Sequence, residues 1–124
     1  MKITCGTDII EIERIQNAIE KIGDKFLNKV FTEKEIEYCE SHKGQKYQHY
    51  AARFAAKEAI FKAISDNTNC KCDWKSFEVE RQENGRPKIN FFVNVENLSS
   101  IDLSISHCKQ YATANVVAIF DKYS

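Results

Sequence analysis

With 124 residues, 43% of them hydrophobic and 11% aromatic, the chain is long enough to bury one core and too short for two, so residues 1–124 are read as a single domain. Eighteen Lys and Arg balance eighteen Asp and Glu, which excludes a whole-molecule field able to gather nucleic acid or an anionic membrane; electrostatic recognition must be local. No run approaches the roughly 18–20 apolar residues of a membrane span, and residues 1–10 lack the plan of a cleavable signal, so the protein is expected in the cytoplasm.

Residues 2–10 are short, β-rich and mostly apolar, which predicts an opening strand interrupted by Asp8. From Glu11 the period changes: Ile12, Ile15, Ile19 and Ile22 recur at helical spacing until Gly23 stops the run. The other face carries Arg14, Lys21 and, past the break, Lys25 and Lys29. Thr32 followed by Glu35 fits a capping box and predicts a short helix to about His42. Residues 45–64, with Tyr47, Tyr50, Phe54, Phe61 and six alanines between 51 and 63, predict the longest helix.

Residues 66–70 carry loop chemistry. Phe77 and Val79 then alternate with charged neighbours, Asn84 and Gly85 signal a hairpin turn, and Ile89, Phe91 and Val93 alternate on the return. Residues 96–100 read as a helical turn or loop. Leu103 and Ile105 alternate with serines, a polar break runs over 107–110, and 111–120 reads as a buried closing strand. The sum is a strand, about three helices and about four further strands joined by turns short enough for antiparallel pairing: an α+β domain with helices on a mainly antiparallel sheet. The five cysteines, Cys5, Cys39, Cys70, Cys72 and Cys108, form an odd set that fits reduced thiols in a cytosol. Cys70 and Cys72 have no second ligand pair at comparable spacing, so zinc is not expected.

Glu58 falls in line with the apolar stripe of the long helix, four after Phe54 and three before Phe61. A carboxylate there needs a partner: either Lys62 one turn on, or a metal ion or a second polar cluster. Asp8 inside an apolar strand poses the same question, its alternative being a cap on the helix that begins near Glu11. Two such carboxylates in elements that pack together suggest a magnesium site awaiting phosphate, since that ion takes one or two carboxylates, substrate oxygens and water. Arg53, Lys57 and Lys62 cluster on the same helix. Such a run is ordinarily a solvated face, but beside magnesium it offers the charge that a pyrophosphate and a further phosphate require. His107, at a strand end, is open to an anion or a hairpin cap.

Five blocks, in order and over nearly the whole chain, resemble the holo-[acyl-carrier-protein] synthases, the short bacterial type of the phosphopantetheinyl transferase superfamily. They are Gly6-Thr7-Asp8-Ile9-Ile10-Glu11 with Arg14-Ile15; Phe31-Thr32-Glu33-Lys34-Glu35; Arg53-Phe54-Ala55-Ala56-Lys57-Glu58-Ala59 with Lys62-Ala63; Asn84-Gly85-Arg86-Pro87; and Ser104-Ile105-Ser106-His107 with Tyr111-Ala112 and Ala114. The third is the most specific. Residues 64–69 depart from the family's glycine-containing segment, which bears on backbone contacts to coenzyme A there.

The resemblance implies transfer of 4′-phosphopantetheine from coenzyme A to a serine of apo-acyl-carrier protein, releasing adenosine 3′,5′-bisphosphate. It implies magnesium on Asp8 and Glu58, Lys62 at the pyrophosphate, Arg53 with His107 at the 3′-phosphate, and Gly85 and Pro87 in the coenzyme A hairpin. Glu58, a metal-bound water and Glu35 are the candidates for taking the serine proton. The acidic carrier would dock on Arg14, Lys21 and Lys25, and a homotrimer with sites between subunits would bury the exposed strands. The alternatives are a magnesium-dependent hydrolase of the coenzyme A pyrophosphate and a non-catalytic carrier-binding module.

Overall fold

The change of period at Glu11 becomes a junction between β1 (Lys2–Glu11) and α1 (Ile12–Ile22), in a computed structural model that describes residues 1–65 and 71–121. Ile12, Ile15 and Ile19 are the buried stripe of α1, and Gly23, at φ 75°, ends it with its N–H on the Ile19 carbonyl. A fourth helix then corrects the expected three: α2 (Asp24–Val30) buries Leu27 and Val30. It is a two-turn helix of seven residues, too short for a periodic signal, yet Asp24 at its start and Lys29 at its end suit the helix dipole.

The capping box at Thr32 and Glu35 forms as expected and opens α3 (Glu33–Glu40). After it comes α4 (Lys46–Ile64), the long helix. A 3₁₀ turn, Trp74–Ser76, leads into the hairpin of β2 (Phe77–Arg81) and β3 (Pro87–Phe91), whose turn contains Gly85 at φ 87°. β4 (Leu98–His107) and β5 (Tyr111–Phe120) follow. Residues 98–100 belong to β4 with an irregular register, so the expected turn or loop at 96–100 is confined to its start, where Asn97 takes φ 65°.

Among the described residues the strands form two antiparallel sheets, β1-β5-β4 and β2-β3, in place of the one expected. α4 lies across the three-stranded sheet, and Ala55, Ala56, Ala59 and Ala63 pack with Ala114, Val116, Ala118 and Phe120 in one core. A second core gathers α1, α2, α3 and the first half of α4 around Tyr50, Phe31 and Ile15. The small residues matter most at Gly6, where a Cβ would overlap the Ala59 carbonyl oxygen and lie 3.0 Å from the Ala63 nitrogen. Strand β1 thus rests on the backbone of α4, and Thr4 Oγ1 donates to the Ala63 carbonyl at 2.6 Å. The opposite face of the sheet is open: Ile3, Ile9 and Val117 are 60%, 63% and 49% exposed.

Lys57 has no exposed surface. Its ammonium pairs with Glu35 at 2.7 Å and donates to the carbonyls of Val30 and Trp74, each at 2.8 Å. Glu35, equally buried, also accepts from the backbone of Thr32 and Val79. Burial pushes the lysine below its ordinary range while the Glu35 and Glu78 carboxylates hold it up. Lys57 therefore ties α2, α3 and the 3₁₀ turn to α4, which corrects the reading of it as a cation for phosphate. The same geometry removes Glu35 from the candidates for proton acceptor.

Candidate active site

Five residues separate Arg53 from Glu58 on α4, which turns their side chains about 140° apart and about 7.5 Å along the axis. They accordingly serve different clefts. Glu58 faces β1, and one cleft is lined by Asp8, Ile9, Ile10, Arg14, Ile15, Ala18, Phe26, Phe54 and Glu58. The spacing of Asp8 and Gly6 explains the pairing: both point to the inner face of β1, and the contact at Gly6 brings that face onto α4. Glu58 is half-buried, and its pKa is raised, first by desolvation and then by the negative charge of Asp8, with Lys62 opposing.

Two expectations for these acids change. Asp8 is not a helix cap, because β1 continues to Glu11 and the start of α1 has no side-chain cap. Nor is Lys62 the partner of Glu58: its ammonium lies 3.3 Å from Asp8 Oδ1 and donates to the Thr7 carbonyl at 2.8 Å. Among the described residues no group of three or more metal-ligating side chains gathers. Two hard carboxylates with an open cleft in front of them fit magnesium, which keeps waters and substrate oxygens in its remaining positions.

Arg53, His107, Gly85 and Pro87 come together in a second cleft with Tyr38, His49, Ala52, Val79, Glu80, Arg81 and Ile105. Arg53 is 5% exposed; its guanidinium stacks 4.2 Å over the Tyr38 ring, and its Nε is buried without a hydrogen-bond partner among the described residues. Arg81 reaches the Tyr38 hydroxyl at 3.3 Å. Sequence reasoning missed Tyr38, His49 and Arg81 here. His49 had a signal, standing one helical turn before Arg53; Tyr38 and Arg81 come from elements whose mutual placement no spacing reveals.

Arg14, Lys21 and Lys25 are exposed on α1 and α2, and Arg14 alone of them borders the Asp8–Glu58 cleft. Cys39 is buried, and desolvation pushes its thiol up to about 12, so it fills space; Cys5 and Cys108 are exposed free thiols. The expected loop at 66–70, with Cys70, lies outside the described residues. No helix among the described residues is long and apolar enough to cross a membrane.

The sequence model of the 4′-phosphopantetheinyl transferase superfamily matches residues 4–116. The chain belongs to this superfamily. A superfamily relative, the holo-[acyl-carrier-protein] synthase of Ruminiclostridium cellulolyticum, is 45% identical over 123 residues, covering 94% of this chain and 92% of that protein. The crystal structure of a holo-(acyl-carrier-protein) synthase from Bacillus anthracis in complex with CoA (3′,5′-ADP) matches with TM-score 0.75 at 35% identity, over 93% of this chain and 94% of that one. The Helicobacter pylori synthase in complex with coenzyme A matches with TM-score 0.79 at 27% identity, over 93% and 99%. The α+β fold expected from the sequence is thus the fold of superfamily members crystallised with coenzyme A.

Proposed function

We infer that this member of the superfamily transfers the 4′-phosphopantetheine group from coenzyme A to a serine of apo-acyl-carrier protein. A bond forms between the serine oxygen and the phosphorus bearing the pantetheine arm. The pyrophosphate bond breaks, and adenosine 3′,5′-bisphosphate leaves. The observation that carries the reading is the meeting of Asp8 and Glu58 in one cleft, with Lys62 beside Asp8.

Asp8 and Glu58 would hold magnesium, which supplies positive charge to the pyrophosphate in a reaction that asks mainly for positioning and charge stabilisation. Lys62, exposed and anchored at the Thr7 carbonyl, adds a cation at the same place. Of the two side chains weighed as acceptors of the serine proton, Glu35 is spent in the buried network. Glu58, in the cleft beside Asp8, is the one we assign. Arg53 and His107, with Gly85 and Pro87, bind the 3′-phosphate end of coenzyme A. Arg14 docks the acidic carrier at the mouth of the Asp8–Glu58 cleft, with Lys21 and Lys25 steering from farther out.

The two clefts lie on different sides of α4, so we propose that one coenzyme A spans two copies of the chain in a homotrimer. The open sheet face, with Ile3, Ile9 and Val117, supports this by offering an apolar surface for the interface. A cytoplasmic setting suits the exposed thiols of Cys5 and Cys108.

Mass spectrometry of apo-carrier incubated with the protein, coenzyme A and magnesium tests the function: transfer adds roughly 340 Da to the carrier. Omitting the carrier separates the hydrolase alternative, since rapid release of adenosine bisphosphate under that condition would replace the transferase reading.

A further inference from the structure

The chain's three histidines are brought into one file by the fold. The rings of His42 and His49 lie 4.5 Å apart between centroids, and those of His49 and His107 6.2 Å. His49 also meets the Tyr38 ring edge-on at 5.3 Å. It shares the second cleft with Arg53, Arg81 and His107, while His42 is turned to the Tyr38 carbonyl at 2.8 Å.

The groups that surround His49 come from four places. Tyr38 and His42 belong to α3 and the turn after it, Arg53 to its own helix, Glu80 and Arg81 to β2, and His107 to β4. Glu80 is the one acidic residue lining the cleft among those described, and its carboxylate accepts from Asn90 Nδ2 at 2.8 Å. What remains is a concavity with two guanidinium groups, the imidazoles of His49 and His107, and a buried Arg53 Nε that has no hydrogen-bond partner among the described residues. A compact oxyanion with several acceptor oxygens is the ligand chemistry this donor set fits.

We propose that His49 is a second histidine of a phosphate-monoester site, where Arg53, Arg81 and His107 hold the phosphate and His49 takes up a proton as it binds. The inference rests on the reading of Arg53 and His107 as partners of the coenzyme A 3′-phosphate, and extends it by two residues and by a coupling to pH. In the free protein burial comes first, then His42, Arg53, His107 and Arg81, in pushing His49 from 6.5 down to about 4. A phosphate dianion in the cleft reverses the sign of that field and raises the imidazole again. Binding that takes up a proton weakens as pH rises. Between the free and bound values of His49, each pH unit costs affinity up to about tenfold.

Calorimetric titrations of coenzyme A and of 3′-dephospho-coenzyme A into the magnesium-loaded protein test this. Run at pH 6 and 7 in buffers of different ionisation enthalpy, they count the protons taken up. Coenzyme A takes up more than its dephospho form, and His49→Gln abolishes the excess together with its share of the pH dependence. NMR of the His49 ring in the unaltered protein moves toward the imidazolium signature when coenzyme A, but not the dephospho form, is added. An excess uptake that survives His49→Gln, or a His49 ring that stays neutral with coenzyme A bound, overturns the inference and leaves the transferase reading standing. Failure of coenzyme A to bind at all overturns both.

Discussion

Replacing Lys57 with methionine keeps the length of the side chain and removes its charge. The change leaves Glu35 buried without a counter-ion and takes the donor from the Val30 and Trp74 carbonyls. Breaking a buried pair by removing one partner costs about 3–5 kcal/mol. The two backbone amides that still donate to Glu35, at 2.9 and 2.8 Å, hold the loss within that range. Against a total stability of about 5–15 kcal/mol, the variant is left marginal, with a melting temperature lower by about 10–25 °C. The single tryptophan, Trp74, stacks on Phe54 at 5.0 Å and reports urea unfolding by its fluorescence. Protein concentration is held fixed, because self-association, wherever it occurs, contributes to apparent stability. The double variant Lys57→Met, Glu35→Gln is expected to be less destabilised than the sum of the two single changes, since it removes the stranded charge. A Lys57→Met protein within about 1 kcal/mol of the parent, with a raised KM for coenzyme A, would refute the argument and return Lys57 to the substrate.

Glu58 supplies a pH dependence with a definite sign. Its folded pKa lies above the ordinary 4.5, so as pH rises through that window the folded state gives up a proton it prefers to keep, and stability falls. Glu58→Gln should remove this slope in urea titrations, while magnesium affinity, which needs the deprotonated acid, climbs over the same window by calorimetry. Asp8→Asn removes the like charge and should bring the Glu58 carboxyl titration down by NMR, with transfer reduced by about two to three orders of magnitude. A Gly6→Ala change, forced into the Ala59 carbonyl, should cost about 3 kcal/mol or more and weaken magnesium binding by calorimetry; a neutral result would mean that β1 does not rest on α4. Val117→Asp on the open sheet face should leave circular dichroism unchanged, yield single copies by sedimentation and abolish transfer. Full activity in a monomer would refute the shared site.

Most of the architecture was legible because its signals are local. The isoleucines of α1, the Thr32–Glu35 box and the Asn84–Gly85 turn each act within a few residues, and each forms where its pattern lies. Helix α2 escaped because seven residues do not complete enough turns to display a stripe. The irregular start of β4 escaped because Asn97 and the polar Ser99 and Ser100 read as turn chemistry. At the site, charge in the sequence did not say which way a side chain would go. Lys57 and Lys62 look alike there, yet one is taken inward by Glu35 and the other stays outside on Asp8. Partners 22 and 54 residues away in sequence (57 − 35 and 62 − 8) made that choice.

Since the strand and helix touch through main-chain atoms at Gly6, the gap between the two carboxylate-bearing backbones is fixed by peptide geometry and owes little to side-chain volume. Aliphatic neighbours can therefore be exchanged for others of like size without retuning the spacing of Asp8 and Glu58, whereas any side chain at position 6 acts as a wedge. The distance between the two acids is set by an omission, one missing methyl group, which no gain of contacts elsewhere can replace.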